Sequence, residues 1–178
     1  MLKSKHLIGL EHFPVSDLNK IIDTSFKFKD ILQTESRKAI LLKGKTIVNM
    51  FFENSTRTKI SFSLAEKRLG ADSINFSAST SSVKKGETLK DTVQNIESMK
   101  IDGAVIRHGH PGSALKLTEY IDGAVINAGD GSHEHPTQAI LDMVTLKEKF
   151  GKIKGLKVGI IGDILNSRVA RSDIFALK

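Results

Sequence analysis

The fold class this sequence predicts is α/β: a parallel sheet flanked by helices, followed by the first strand and helix of a second α/β domain. Short apolar runs at 46–50, 103–106 and 124–126 read as buried strands, and each leads into a stretch with helical spacing. Strands alternating with helices at this spacing imply right-handed βαβ units and hence a parallel sheet. Chemically useful side chains collect where strands end and helices begin, the edge of such a sheet at which ligands bind.

Taken in order, Leu7-Ile8-Gly9-Leu10 is a short apolar entry, and Ser16 is placed to cap a helix whose Leu18, Ile21, Ile22, Ser25 and Phe26 share one face towards Leu32. Residues 33–43 are polar and basic around Ala39-Ile40-Leu41-Leu42, a second short segment leading to Gly44. The first strong strand is expected at 45–52, followed by a helix over 59–69 that closes on Gly70. A strand at 71–76, a loop of small and hydroxylated residues from Ser77 to Gly86, and a helix from about Glu87 to Met99 come next. Strands over 103–107 and 124–127 flank a helix at 113–117, and Pro136 stands as the first residue of a helix running on to Leu146. The basic, glycine-flanked stretch 151–156 marks a domain boundary, giving one domain over 1–150 and the beginning of another over 151–178. Val158 to Asp163 predicts a strand and Ser167 to Ser172 the helix after it; such a pair buries no core alone, so a second domain is expected to be incomplete within this chain.

Composition narrows the function. At 178 residues the chain suits one domain, or one and part of another; 39% apolar and 26% charged residues fit a packed soluble protein. Its net charge of +7 favours anionic ligands, but with 6% aromatics, one tyrosine and no tryptophan it lacks stacking platforms for nucleic acid. No run is long and apolar enough for a membrane span, and Met1 to His6 is not a secretory signal, so a cytoplasmic protein is expected. With no cysteine there is no disulfide, no thiol chemistry and no cysteine-bound metal.

Phe51-Phe52-Glu53-Asn54-Ser55-Thr56-Arg57-Thr58 stands where the first strand turns into a helix, whose unpaired N–H groups and dipole suit an anion, phosphate above all. The third strand ends on Arg107 and His108, the fourth leads to His135 and Gln138, and the loop after the second carries Ser81, Ser82, Lys84 and Lys85. Arg57 and Arg107 suit bidentate contacts to phosphate, and His135 with Thr58 suits donation to a polarised carbonyl oxygen. Plainer readings compete: Ser55 or Thr56 as an ordinary N-cap, Lys84 and Lys85 as a solvated pair, Arg107 as a salt-bridge partner, His135-Pro136 as a capped helix start. Zinc at His108, His110, His133 and His135 is disfavoured by the lack of H-E-x-x-H or carboxylate-bridged spacing, and 155–162 lacks G-x-G-x-x-G.

F-F-E-N-S-T-R-T at 51–58, S-S-V-K-K-G-E-T at 81–88, R-H at 107–108, N-A-G-D-G-S-H-E-H-P-T-Q at 127–138 and G-D-I-L-N-S-R-V-A-R-S at 162–172, in that order, resemble the aspartate/ornithine carbamoyltransferase family. The F-F-E, K-K-G-E-T and N-A-G-D-G runs resemble its aspartate branch. The resemblance implies a carbamoyl-phosphate domain and an aspartate domain, and transfer of the carbamoyl group to the α-amino group of L-aspartate in pyrimidine biosynthesis. It implies Ser55, Thr56, Arg57 and Thr58 on the phosphate, Arg107 on phosphate and carbonyl oxygen, His135 and Thr58 on the carbonyl, and Gln138 on the carbamoyl nitrogen. Ser81 and Lys85 would come from a neighbouring subunit of a homotrimer with shared active sites, to which regulatory chains can attach. Lys85 and Arg168 would meet aspartate. The chemistry asks for positioning and charge stabilisation, with no metal and no organic cofactor.

Two other readings stand beside this one: a carbamoyltransferase for ornithine or another acceptor, and a non-catalytic phosphate-binding paralogue. Family members are considerably longer, so weak binding of carbamoyl phosphate and little or no turnover are expected of these 178 residues alone.

Overall fold

The computed structural model describes residues 2–77 and 88–178. Four parallel strands, β1 (Thr46–Phe51), β2 (Asp72–Ser77), β3 (Gly103–His108) and β4 (Ala124–Asp130), form one sheet in the order β2-β1-β3-β4. Around it lie α1 (Val15–Ile31), α2 (Thr56–Leu69), α3 (Leu89–Glu97), α4 (Ser113–Leu117), α5 (Pro136–Phe150) and α6 (Arg168–Leu177). No helix of the described residues is long and apolar enough to cross a membrane.

The two-residue period of a strand divides β1 between two layers. Val48 and Met50 join Ala104, Ile106 and Val125 on the face covered by Val93 of α3 and by Ala114 and Leu117 of α4. Phe51 joins Val105 and Ala128 on the opposite face, against Phe62 of α2. A third cluster binds Ala139 and Ile140 of α5 to Leu18 and Ile21 of α1 and Phe175 of α6. Buried Asn49 donates through Nδ2 to Glu66 Oε2 at 2.8 Å, and Ser73 Oγ donates to the same oxygen, so a polar cluster joins α2 to β1 and β2. Burial raises the Glu66 pKa, offset in part by these two donors.

From β1 the chain passes through α2 to β2 on one side, whereas β3 pairs with the other edge of β1. The crevice between the carboxyl ends of β1 and β3 is therefore the topological switch point of the sheet. At the far edge the apolar entry covers β4: Leu7 N–H donates to Val125 O at 2.9 Å, and Asn127 N–H donates to Leu7 O at 2.8 Å.

Three local expectations are corrected. The first helix begins at Val15 after Pro14, not at a Ser16 cap; Asp17 in its first turn is buried and accepts from the Lys3 and Ser4 N–H groups at 2.8 and 2.9 Å. Residues 39–42 form no regular element. Ala39 and Leu42 N–H groups donate to Arg68 O and Leu69 O at the end of α2, which leaves Ile40 and Leu41 exposed. The expected strand at 158–163 does not form: Ile161 is 98% exposed and no strand lies beside it among the described residues to pair its backbone. The helix after it does form, as α6.

Candidate functional site

The carboxyl ends of β1, β3 and β4 and the first turns of α2, α5 and α6 surround a cavity of about 1180 Å³. Ser55, Arg57, Thr58, Arg107, His135, Gln138 and Arg168 all line it. Thr56 occupies the first helical position of α2 and is exposed; its side chain is not among the lining groups. Ser81 and Lys85 lie outside the described residues.

Ser55 is the N-cap residue of α2, but its hydroxyl makes no capping bond; it donates to Thr58 Oγ1 at 2.9 Å. The N-cap of α5 is His135, also without a side-chain cap. Of the other helices, α1 and α4 also start without a side-chain cap, whereas Thr88 closes a capping box on α3 and Ser167 Oγ accepts from Ala170 N–H on α6. The helix opening on the crevice from β1 thus keeps first-turn N–H groups without a side-chain cap, the positive end that suits an anion, whereas α5 opens on Pro136, which has no N–H. Arg57 is exposed at the mouth of the cavity and has no ion-pair partner among the described residues, so its guanidinium is available to such an anion.

Arg107 ties the strand ends together. Its Nη1 donates to Ala128 O at 3.2 Å and lies 3.5 Å from Thr58 Oγ1 and 3.4 Å from His135 Nε2, while its Nε donates to Glu53 Oε2 at 3.1 Å. Burial first, then the charge of Arg168, lowers the Arg107 pKa, and Glu53 opposes the shift. Since a guanidinium only donates, Nε2 of His135 accepts here, which places the ring proton on Nδ1, 3.3 Å from Thr137 Oγ1. Burial, followed by the charges of Arg107 and Arg168, lowers the His135 pKa to about 4, so the ring is neutral at pH 7. A neutral imidazole beside Thr58 and Arg107 gives the crevice groups able to polarise a carbonyl oxygen without a mobile charge.

Arg168, the first residue of α6, reaches the same cavity: Nη2 donates to Glu53 Oε2 at 3.0 Å and Nη1 to Gly131 O at 3.3 Å. Glu53 therefore bridges two arginines, a role sequence reasoning did not give it. The signal was available, because an acid beside an expected anion site must be held by cations.

The run 127–138 is a buried polar scaffold for these groups. Asp130 is fully buried and accepts from Asn127 Nδ2 at 2.7 Å and Gly112 N–H at 2.8 Å, with His133 Nδ1 at 3.1 Å. Asn127 Oδ1 accepts from Gly129 N–H at 2.8 Å. Glu134 accepts from Leu10 N–H at 2.7 Å and from Ser172 Oγ at 2.8 Å, and Ser172 Oγ in turn accepts from His135 N–H at 2.9 Å. The chain entry, the β4 loop and α6 are so fixed together around His135. His108, by contrast, turns away: its Nδ1 meets Ser113 Oγ at 2.9 Å and its ring packs on Phe52, 5.1 Å between centroids.

The family described as aspartate/ornithine carbamoyltransferase, carbamoyl-P binding domain, matches residues 5–148. The aspartate carbamoyltransferase catalytic subunit of Christiangramia forsetii is 55% identical over 177 residues, 99% of this chain and 57% of the relative. That of Flavobacterium johnsoniae is 54% identical, over 99% of this chain and 58% of its own length. Among solved structures, aspartate transcarbamoylase from Trypanosoma cruzi in complex with carbamoyl aspartate and phosphate superposes with a TM-score of 0.92 at 34% identity, covering 99% of this chain and 57% of that one. The same enzyme with carbamoyl phosphate and aspartate gives 0.91 at 34% identity, over 99% of this chain and 55% of that one. The chain spans just over half the length of the relatives it matches.

Proposed function

This chain belongs to the aspartate/ornithine carbamoyltransferase family, and from that premise we propose that it carries the carbamoyl-phosphate site of an aspartate carbamoyltransferase. The observation that carries the proposal is the convergence of Arg57, Arg107 and the uncapped start of α2 on one cavity at the switch point, with neutral His135 and Thr58 beside them. The phosphate sits on Ser55, Thr56, Arg57 and Thr58; Arg107 spans phosphate and carbonyl oxygen; His135 and Thr58 polarise the carbonyl; Gln138 meets the carbamoyl nitrogen. In that role His135 turns its Nδ1–H from Thr137 Oγ1 towards the substrate.

The α-amino group of L-aspartate attacks the carbamoyl carbon and a tetrahedral oxyanion forms. Its collapse expels phosphate and leaves N-carbamoyl-L-aspartate, a step of pyrimidine biosynthesis in the cytoplasm. The catalytic work is positioning and charge stabilisation. Aspartate, rather than ornithine, is favoured by the F-F-E, K-K-G-E-T and N-A-G-D-G runs and by the names of the relatives more than half identical to the chain.

Residues 1–150 form the carbamoyl-phosphate-binding domain, and 151–178 begin the aspartate-binding domain, from which Arg168 meets the aspartate carboxylate. Ser81 and Lys85 enter the site of a neighbouring subunit in a homotrimer, Lys85 also meeting aspartate, and regulatory chains can join that assembly.

Calorimetric titration with carbamoyl phosphate in phosphate-free buffer, on material sized by sedimentation, tests the site. Wild type binds, and Arg57→Ala weakens binding by about tenfold to a hundredfold, the loss of a charge-assisted contact. Unchanged affinity in Arg57→Ala, or binding of phosphate with no preference for carbamoyl phosphate, refutes it. Product formed from aspartate and not from ornithine, by the chain extended to the relatives' length, tests the acceptor.

A further inference from the structure

Gln138 lines the cavity, yet the sense of its amide is fixed from outside. Its Nε2 donates to Asp142 Oδ1 at 3.1 Å, one turn further along α5, and Asp142 is not among the cavity's lining residues. An amide carries a donor end and an acceptor end, so holding the nitrogen on a carboxylate turns Oε1 towards the other side. Asp173 of α6 stands near Asp142, and burial first, then the Asp142 charge, raises the Asp173 pKa to about 6. The two acids line a second, separate cavity of about 400 Å³ between α5, α6 and residues 158–161.

We propose that Asp142 is a positioning residue that makes Gln138 present its carbonyl oxygen to the main cavity, so that the site selects an acyl phosphate bearing an N–H donor, a carbamoyl over an acetyl group. The inference rests on the carbamoyl-phosphate reading of that cavity. Acetyl phosphate is the discriminating probe, because it replaces the carbamoyl nitrogen with a methyl group of similar size. Facing Oε1, the nitrogen donates a hydrogen bond and the methyl leaves a polar oxygen unpaired. With the amide reversed, a donor would face the carbamoyl donor and the preference would vanish.

Two readouts test this on the 178-residue chain. The first is the side-chain amide NMR signal of Gln138, assigned with Gln138→Leu, in wild type, Asp142→Ala and Asp142→Asn. The second is the ratio of affinities for carbamoyl and acetyl phosphate in the same proteins. Asp142→Ala should remove the hydrogen-bonded amide signal and lower the ratio about tenfold, through carbamoyl phosphate alone. Asp142→Asn, whose Oδ1 still accepts, should restore both. Should the alanine variant not fold, Asp142→Ser, too short to reach Gln138, replaces it. An unchanged Gln138 signal in the alanine variant, or equal weakening of the two phosphates, overturns the inference. A wild-type protein that does not prefer carbamoyl phosphate overturns the proposed function instead, and the amide signal still decides whether Asp142 sets Gln138.

Discussion

Replacing Asp130 by asparagine keeps the volume of a fully buried side chain and changes one oxygen into a donor. Every polar neighbour of the carboxylate in the structure is a donor: Asn127 Nδ2 at 2.7 Å and Glu134 N–H at 3.3 Å on Oδ1, Gly112 N–H at 2.8 Å on Oδ2, and His133 Nδ1 beside both. Whichever oxygen is replaced, at least one buried N–H then faces another donor, and the remaining bonds lose their charge assistance. Losing one hydrogen bond to a charged acceptor and weakening its partner amounts to about 3 kcal/mol. With a urea m-value of about 2 kcal/mol/M for a domain of this size, the unfolding midpoint of Asp130→Asn should fall by about 1.5 M. Exposed Asp122 is the control, where the same substitution should move the midpoint by less than about 0.25 M. The site should feel the change as well, since Ala128 O and Gly131 O, on either side of Asp130 in the chain, receive Arg107 and Arg168. A midpoint shift below about 0.5 M at constant m in Asp130→Asn would refute the view that this carboxylate holds the loop.

Two more expectations concern the same loop. His135 has its pKa lowered in the folded chain to about 4 from an ordinary 6.5, by burial and then by Arg107 and Arg168, so its contribution to stability is present above pH 6.5 and lost as pH falls towards 4. The full window corresponds to about 3 kcal/mol, and urea midpoints at pH 7 and pH 4.5 should therefore fall further in wild type than in His135→Gln; equal falls would contradict the burial of a neutral ring. Gly131 has φ of +53°, and a Cβ there would meet Pro111 Cδ at 2.5 Å and Gly109 O at 2.8 Å, whereas Gly151 has φ of +73° and nothing within 4 Å. Gly131→Ala should therefore cost well over the roughly 1 kcal/mol of left-handed strain expected at Gly151→Ala, by urea unfolding, and similar costs would mean that the Pro111 contact yields freely.

The sequence alone determined the parallel α/β architecture, because apolar runs of strand length, helical spacing, glycine closures and a proline at a first helical position are local signals, and local chemistry chose the same elements that packing then kept. It also picked out the group of arginines, histidine and hydroxyls at strand ends that lines the cavity. It misjudged 158–163, where the apolar pattern of a strand is present but a strand exists only with a neighbour to pair its backbone, and none lies there among the described residues. It misjudged Ser16 too, since a cap depends on where the preceding chain enters, and Pro14 sets that entry. The tertiary structure decided the strand order β2-β1-β3-β4 and thereby which strand ends meet, because the pairing of β3 with the free edge of β1 is not written in either strand's own pattern. It alone gave Glu53 its two arginines and Glu134 its donors from Leu10 and Ser172. Those contacts join residues 38 to 124 positions apart, and a hydrogen bond at such separations becomes definite only when the whole sheet has brought both ends to the same place.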